Sequence, residues 1–148
     1  MLDKQKLILS KINLTSITKP INKPLYDLES IKPGIIHLGL GNFHRAHQAL
    51  YLDDLFNMGL DHDWGIVGSG VMPHDAAMRK ALFEQDLLTT VVELEPGANR
   101  VRVIGSMVDF LPVESGNPSL ICALCDPVIR IVSMIVNNHV YFLIHTIQ

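Results

Sequence analysis

Gly39-Leu40-Gly41-Asn42-Phe43-His44-Arg45-Ala46-His47-Gln48 is the stretch of this chain whose residue types could do chemistry. Two glycines one residue apart let the backbone turn tightly and come close to a ligand. Where such a turn opens a helix, the first N–H groups lack intrahelical acceptors and face outward toward an anion. The chemistry this suits is the grip of a diphosphate. The pattern is Gly39-x-Gly41-x-x-His44, so His44 stands where the usual dinucleotide fingerprint has its third glycine. Taken alone, the match leaves an ordinary strand-to-helix turn open as the alternative.

The other reactive residues read more plainly. His44 and His47 lie three apart on one helical face and suit contacts with phosphate or local backbone groups; zinc needs further ligands, and none has a clear position, so no metal is expected. Cys122-Ala123-Leu124-Cys125 matches C-x-x-C but lies in a short apolar helical segment, which points to core packing rather than redox chemistry. Asp53-Asp54 reads as a solvated helix face. A dinucleotide site also wants an acid for the ribose, about 20 residues beyond the glycines at the end of the second strand. That end reads Gly68-Ser69-Gly70-Val71, with neither carboxylate nor arginine. Asp75 is the nearest acid, and both a ribose contact and a helix N-cap are open to it. Arg79 could pair with it along the helix or face solvent.

These residues need elements to position them. Ile35 to Leu38 is an apolar strand before the glycines, and Ala46, Ala49, Leu50, Leu52, Leu55 and Phe56 follow a helical period after them, with Gly59 as a left-handed stop. Trp64 to Gly68 reads as a second strand and Asp75 to Gln85 as a second helix. Leu87 to Leu94 and Arg100 to Ile104 read as a hairpin about Glu95-Pro96-Gly97-Ala98-Asn99. Ser119 to Cys125 is a short helix, and Ile129 to Val136 is an apolar run that suits a buried parallel strand. A last apolar run spans Val140 to Ile147. The alternation predicts an α/β fold, Rossmann-like, with a mostly parallel sheet, an added β-hairpin and an incomplete second half. Residues 1–34, with Lys19-Pro20, Lys23-Pro24 and Lys32-Pro33, read as an arm, a short helix about Leu7, Ile8, Ile12 and Leu14 within it; residues 35–148 form the dinucleotide-binding domain.

Composition sets the outer bounds. The 148 residues suit one domain, and 48% hydrophobic against 18% charged residues supports a packed core. A net charge of −3 offers no basic field for nucleic acid. No apolar run is long enough to span a membrane, no signal peptide is read, and two cysteines make no disulfide framework. The expectation is a cytoplasmic protein.

The longer segment from Gly34 to Gln48 resembles the signature of the long-chain mannitol dehydrogenase family, which includes mannitol 2-dehydrogenase, other polyol dehydrogenases and fructuronate reductase. Further similarities fall at Asp63-Trp64-Gly65-Ile66, Met72 with Asp75, Gln85-Asp86, Thr90 with Glu93, Ile104-Gly105-Ser106, and Asp126-Pro127 with Ile129 to Ser133. The resemblance covers about residues 20 to 136 and implies NAD as cofactor and the interconversion of a polyol with its ketose by hydride transfer. It implies cofactor contacts from Gly39, Leu40, Gly41, Asn42, Phe43, His44 and Arg45, with Asp75 near the adenosine ribose. The family's catalytic lysine lies in a K-x-x-x-x-N-x-x-H pattern in a second, helical domain; no lysine here has that context, so no catalytic residue is expected in this chain, and a polyol or ketose would be bound only with that domain. After Ser133 the sequence departs from the family pattern and reads as a truncated end. The competing readings are a stand-alone nucleotide-binding module and an inactive remnant.

Overall fold

The computed structural model describes residues 8–17 and 20–136. Its elements begin with β1 (Pro33–Leu38), the short helix α1 (Asn42–Ala46) and α2 (Gln48–Asn57). β2 (Gly65–Ser69) and α3 (Asp75–Phe83) follow, then the strands β3 (Thr89–Glu95) and β4 (Ala98–Ile104). The chain continues through β5 (Met107–Phe110), α4 (Pro118–Leu124) and β6 (Ile131–Met134).

The main sheet is parallel, in the order β5-β2-β1-β6. The chain runs outward from β1 through β2 to β5, then crosses back to place β6 on the other side of β1. This reversal makes the β1–β6 boundary the switch point of a doubly wound sheet. Both faces are covered around β1 and β2, as parallel pairing demands. On one face Leu50 of α2 and Leu82 of α3 pack with Ile66, Met107 and Phe110; on the other Leu120 of α4 packs on Ile36 and Val67.

The hairpin β3–β4 is an insertion between α3 and β5 and forms its own two-stranded sheet. Its connection is tighter than the sequence suggests. Glu95 pairs with Ala98, so Pro96 and Gly97 alone make the turn, with Gly97 at φ 92°. Proline followed by a glycine at positive φ suits a two-residue reversal. The N-terminal stretch lies along this hairpin: Asn22 pairs with Arg102, and Leu14 packs on Leu88 and Val103. Its helical turns among the described residues are 3-10 in type, at Ile12–Ser16 and Leu28–Ser30.

Several expectations need correction. Strand β5 is not evident from the sequence, because Met-Val-Asp-Phe is too short to show a period. The run before Val136 forms a parallel strand, but β6 is an edge strand whose residues are partly or largely exposed. The run Val140 to Ile147 lies outside the described residues. Asp53 is not solvated: it falls on the inward stripe Ala49–Asp53–Phe56 and is 1% exposed. Cys122 and Cys125 are exposed rather than core, because α4 turns Leu120 inward and these two outward. Among the described residues no helix is long and apolar enough to cross a membrane.

Candidate functional site

β1 ends where the glycines begin. Gly39 takes φ 81°, a conformation that favours glycine, and its N–H donates to Ser69 O of β2 at 2.9 Å. Gly41 is different. Its φ of −76° and ψ of 173° are open to any residue. A Cβ built on either glycine meets no atom within 4 Å. Gly41 is therefore compatible with a side chain in its backbone, and what a side chain would take is the open space beside it.

That space is a hollow of about 380 Å³ at the carboxyl ends of β1, β2 and β5. Gly39, Leu40, Gly41, Asn42, Phe43, Asp75, Met78, Phe110 and Ile135 line it. A second hollow of about 420 Å³ lies between Val71 and Pro73 on one side and the loop Val113 to Asn117 on the other. A larger depression, about 690 Å³, runs along α2 past Phe43, Tyr51, Leu52 and Leu55. It is apolar apart from His47 and Gln48 and contains neither glycine of the turn, so the chemistry points to the glycine hollow.

Asp75 reaches this hollow by a fold in the chain. It is the first residue of α3 rather than its N-cap, which is His74. Its Oδ2 accepts from Met72 N–H at 2.9 Å, closing the loop after β2. A Cβ on Gly70 would overlap the Asp75 side chain. The absence of a side chain at Gly70 is thus what lets the carboxylate lie against the end of β2. The fold thus brings to the end of β2 a carboxylate that the linear spacing does not place there. Arg79 does not pair with it: its Nε donates to Phe110 O at 2.9 Å, and its guanidinium lies over the Phe83 ring.

The other expected contacts divide. Asn42 and Phe43 flank the hollow, and Phe43 is exposed. The Leu40 side chain turns into the core, against the space above Gly68, so Leu40 can offer a ligand only its backbone. Arg45 donates to Asn42 Oδ1 and lies 3.7 Å from Met78 Sδ, at the rim. His44 does not line the hollow. Its ring is 1% exposed and stacks on His37, with ring centroids 3.7 Å apart. The expected side-chain contact of His44 with phosphate is therefore corrected: burial in the hydrophobic angle between α1 and β1 turns the imidazole inward. Burial, then His37, then Arg45 hold its pKa down to about 3. His47 breaks the helix between α1 and α2 (φ −125°, ψ −80°), and its ring packs on Phe43. Among the described residues no three His, Cys, Asp or Glu side chains cluster to hold a metal.

Behind the site, Asp53 ties the helix to the insertion. It accepts from Tyr26 Oη at 2.5 Å, from Gly105 N–H at 2.9 Å and from Asn57 Nδ2 at 3.0 Å, with Arg102 at 3.4 Å. Burial pushes its carboxyl above the usual range, against the pull of those donors. The partners are separated in sequence by 27, 52 and 49 residues for Tyr26, Gly105 and Arg102, so no local pattern reveals the network.

A parallel sheet reversing at β1, with a paired-glycine turn at the reversal, is the architecture of the Rossmann class. Within that class the chain belongs to the mannitol dehydrogenase family, whose Rossmann-domain model matches residues 33–140. It is 56% identical over 126 residues to a mannitol 2-dehydrogenase of Cereibacter sphaeroides, covering 85% of this chain and 26% of that protein. It is 38% identical to a polyol:NADP oxidoreductase of Gluconobacter oxydans, covering 90% of this chain and 28% of that protein. The fold superposes on Pseudomonas fluorescens mannitol 2-dehydrogenase, solved as a ternary complex with NAD and D-mannitol. That match has a TM-score of 0.82 and 44% identity, over 86% of this chain and 26% of that one. A substrate-free D-sorbitol dehydrogenase matches with a TM-score of 0.79 and 36% identity, over 91% of this chain and 28% of that one. The chain thus spans about a quarter of the length of these relatives.

Proposed function

We propose that this chain is the NAD-binding part of an oxidoreductase that interconverts a polyol of the mannitol type with its ketose. The observation that carries the proposal is the open space over Gly41, a glycine whose backbone does not require glycine. Its placement at the sheet's switch point, with a carboxylate across the hollow, fits a dinucleotide better than any other ligand class. The backbone of Gly39 to Phe43 holds the diphosphate. Asp75 accepts from a ribose hydroxyl. Met78 and Phe110 supply the apolar floor, and the hollow between Pro73 and Val113 takes the adenine. A bound nicotinamide would supply the hydride acceptor and donor.

Proton transfer is a separate matter. Oxidising an alcohol needs a base within hydrogen-bond reach of its proton. Apart from Asp75, no residue lining the glycine hollow carries an acid–base side chain. The site binds and orients; the base and the polyol contacts belong to chain beyond the quarter of the relatives spanned here. Calorimetric titration with NAD tests the reading: saturable one-site binding, competed by ADP-ribose and unaccompanied by mannitol turnover, supports it. Absence of binding leaves an inert domain and refutes it.

A further inference from the structure

The stacked pair His37–His44 has no part in the cofactor contacts above, and it brackets them. His37 lies two residues before Gly39 and His44 three after Gly41, so the two rings close the base of the turn like a staple. They lie 3.7 Å apart and 20° from parallel, with 2% and 1% of each residue exposed. His37 Nδ1 is 2.8 Å from Ser133 Oγ of β6, and Ser133 also meets the Gln48 amide of α2 at 3.3 Å. His37 Nε2 and both nitrogens of His44 are buried with no partner in the structure. Four elements, β1, α1, α2 and β6, therefore meet on these two rings.

We infer that the His37–His44 stack is an acid-labile seat for the diphosphate turn, holding it on the sheet while both rings are neutral and releasing it, and its dinucleotide, when His44 is protonated. The inference rests on the dinucleotide reading of the hollow. Its physical basis is the charge inventory around the stack. β1 contributes His37, and α1 contributes His44 and the cationic Arg45. α2 contributes Gln48 and β6 contributes Ser133, neither of which is charged. No carboxylate among the described residues faces the pair to compensate a proton. An imidazolium formed there is an unpaired buried cation against a second imidazole and near a guanidinium, an arrangement that a protein relieves by opening. Burial pushes His37 down as well as His44. An apolar ring would fill the same space without leaving three nitrogens unmet. What the imidazoles add is a proton site that becomes ordinary once the turn lifts. Below the ordinary imidazole value of about 6.5, each pH unit favours the lifted state by up to about tenfold.

The test measures NAD affinity by calorimetry between about pH 7.5 and pH 5, a range set by imidazole titration, for the chain and for His44→Phe. The affinity of the unaltered chain falls by about tenfold or more, and that of His44→Phe by less than about threefold, if the stack is the seat. A flat profile in the unaltered chain, or an equal fall in both, overturns the inference and leaves the dinucleotide reading standing. If NAD binds at neither pH, the dinucleotide reading fails, and amide-exchange protection of residues 39–43 in the free chain decides about the seat. Protection lost at low pH in the unaltered chain and kept in His44→Phe sustains it; protection unchanged in the unaltered chain overturns it. Should His44→Phe not fold, His44→Leu, which also removes the titrating ring, takes its place in both measurements.

Discussion

Gly41→Val separates a ligand seat from a mere turn. Valine suits the observed φ of −76° and ψ of 173°, and its Cβ meets nothing within 4 Å. The position is the N-cap of α1, where valine is a poorer cap than glycine by about 1 kcal/mol. Loss of glycine's freedom in the unfolded chain returns about 0.4–1 kcal/mol. The net stability change is therefore within about 1 kcal/mol, a few degrees in melting temperature for a domain of this size. Binding fares differently. The branched carbons fill the place of the diphosphate and separate it from at least two backbone donors, each worth about 1.5–3 kcal/mol to a charged acceptor. The loss is at least about 3 kcal/mol, or about 100-fold in Kd. Gly41→Ala, which adds one carbon, is expected to lose about tenfold. Gly39 is a poorer probe, because a side chain at φ 81° is strained whatever the space. Thermal melts alongside calorimetry with NAD read both quantities. Unchanged NAD affinity in Gly41→Val would refute the reasoning, as would a loss of stability large enough to account for the loss of binding.

Other perturbations follow from the same geometry. Asp75→Ala removes the carboxylate across the hollow and should weaken NAD binding about 10- to 100-fold by calorimetry, the worth of one charged hydrogen bond. Asp53→Ala leaves Tyr26 Oη and Gly105 N–H without their buried acceptor, while Arg102 keeps Asp54, and should cost about 2–4 kcal/mol in urea denaturation, a large part of a domain's stability; a cost below about 1 kcal/mol would show the network to be incidental. Gly68→Ala drives a methyl into Leu40 and crowds Phe110 at 3.2 Å, so it should destabilise the core by about 1–3 kcal/mol in the same assay.

What could be read from the sequence was local. The strand, glycine turn and helix from Ile35 to Gly59 are visible because the glycines and the helical period lie side by side. Gly59 does close α2 at φ 75°, with Leu60 N–H donating to Leu55 O. The hairpin is visible from Pro96-Gly97. What could not be read depended on distant partners. Asp75 comes to the end of β2 only because Gly70 leaves room and the chain doubles back. Asp53 looks solvated until residues far along the chain surround it. His44 looks like a phosphate contact until His37, on the preceding strand, takes its ring. Cys122 of α4 and Cys125 at its C-cap share the apolar composition of the helix, and composition does not tell which face of a seven-residue helix turns inward.

The central claim is that the hollow bounded by Gly39 to Phe43 and Asp75 is where a dinucleotide rests. Amide chemical shifts of the isotopically labelled chain, followed as NAD is added at neutral pH, test it residue by residue. Saturable shifts are expected at residues 39–43, 70–75 and 110–114, with small changes along the apolar groove of α2. Saturable shifts centred instead on Tyr51 to Leu55, or none at the glycine turn, would contradict it.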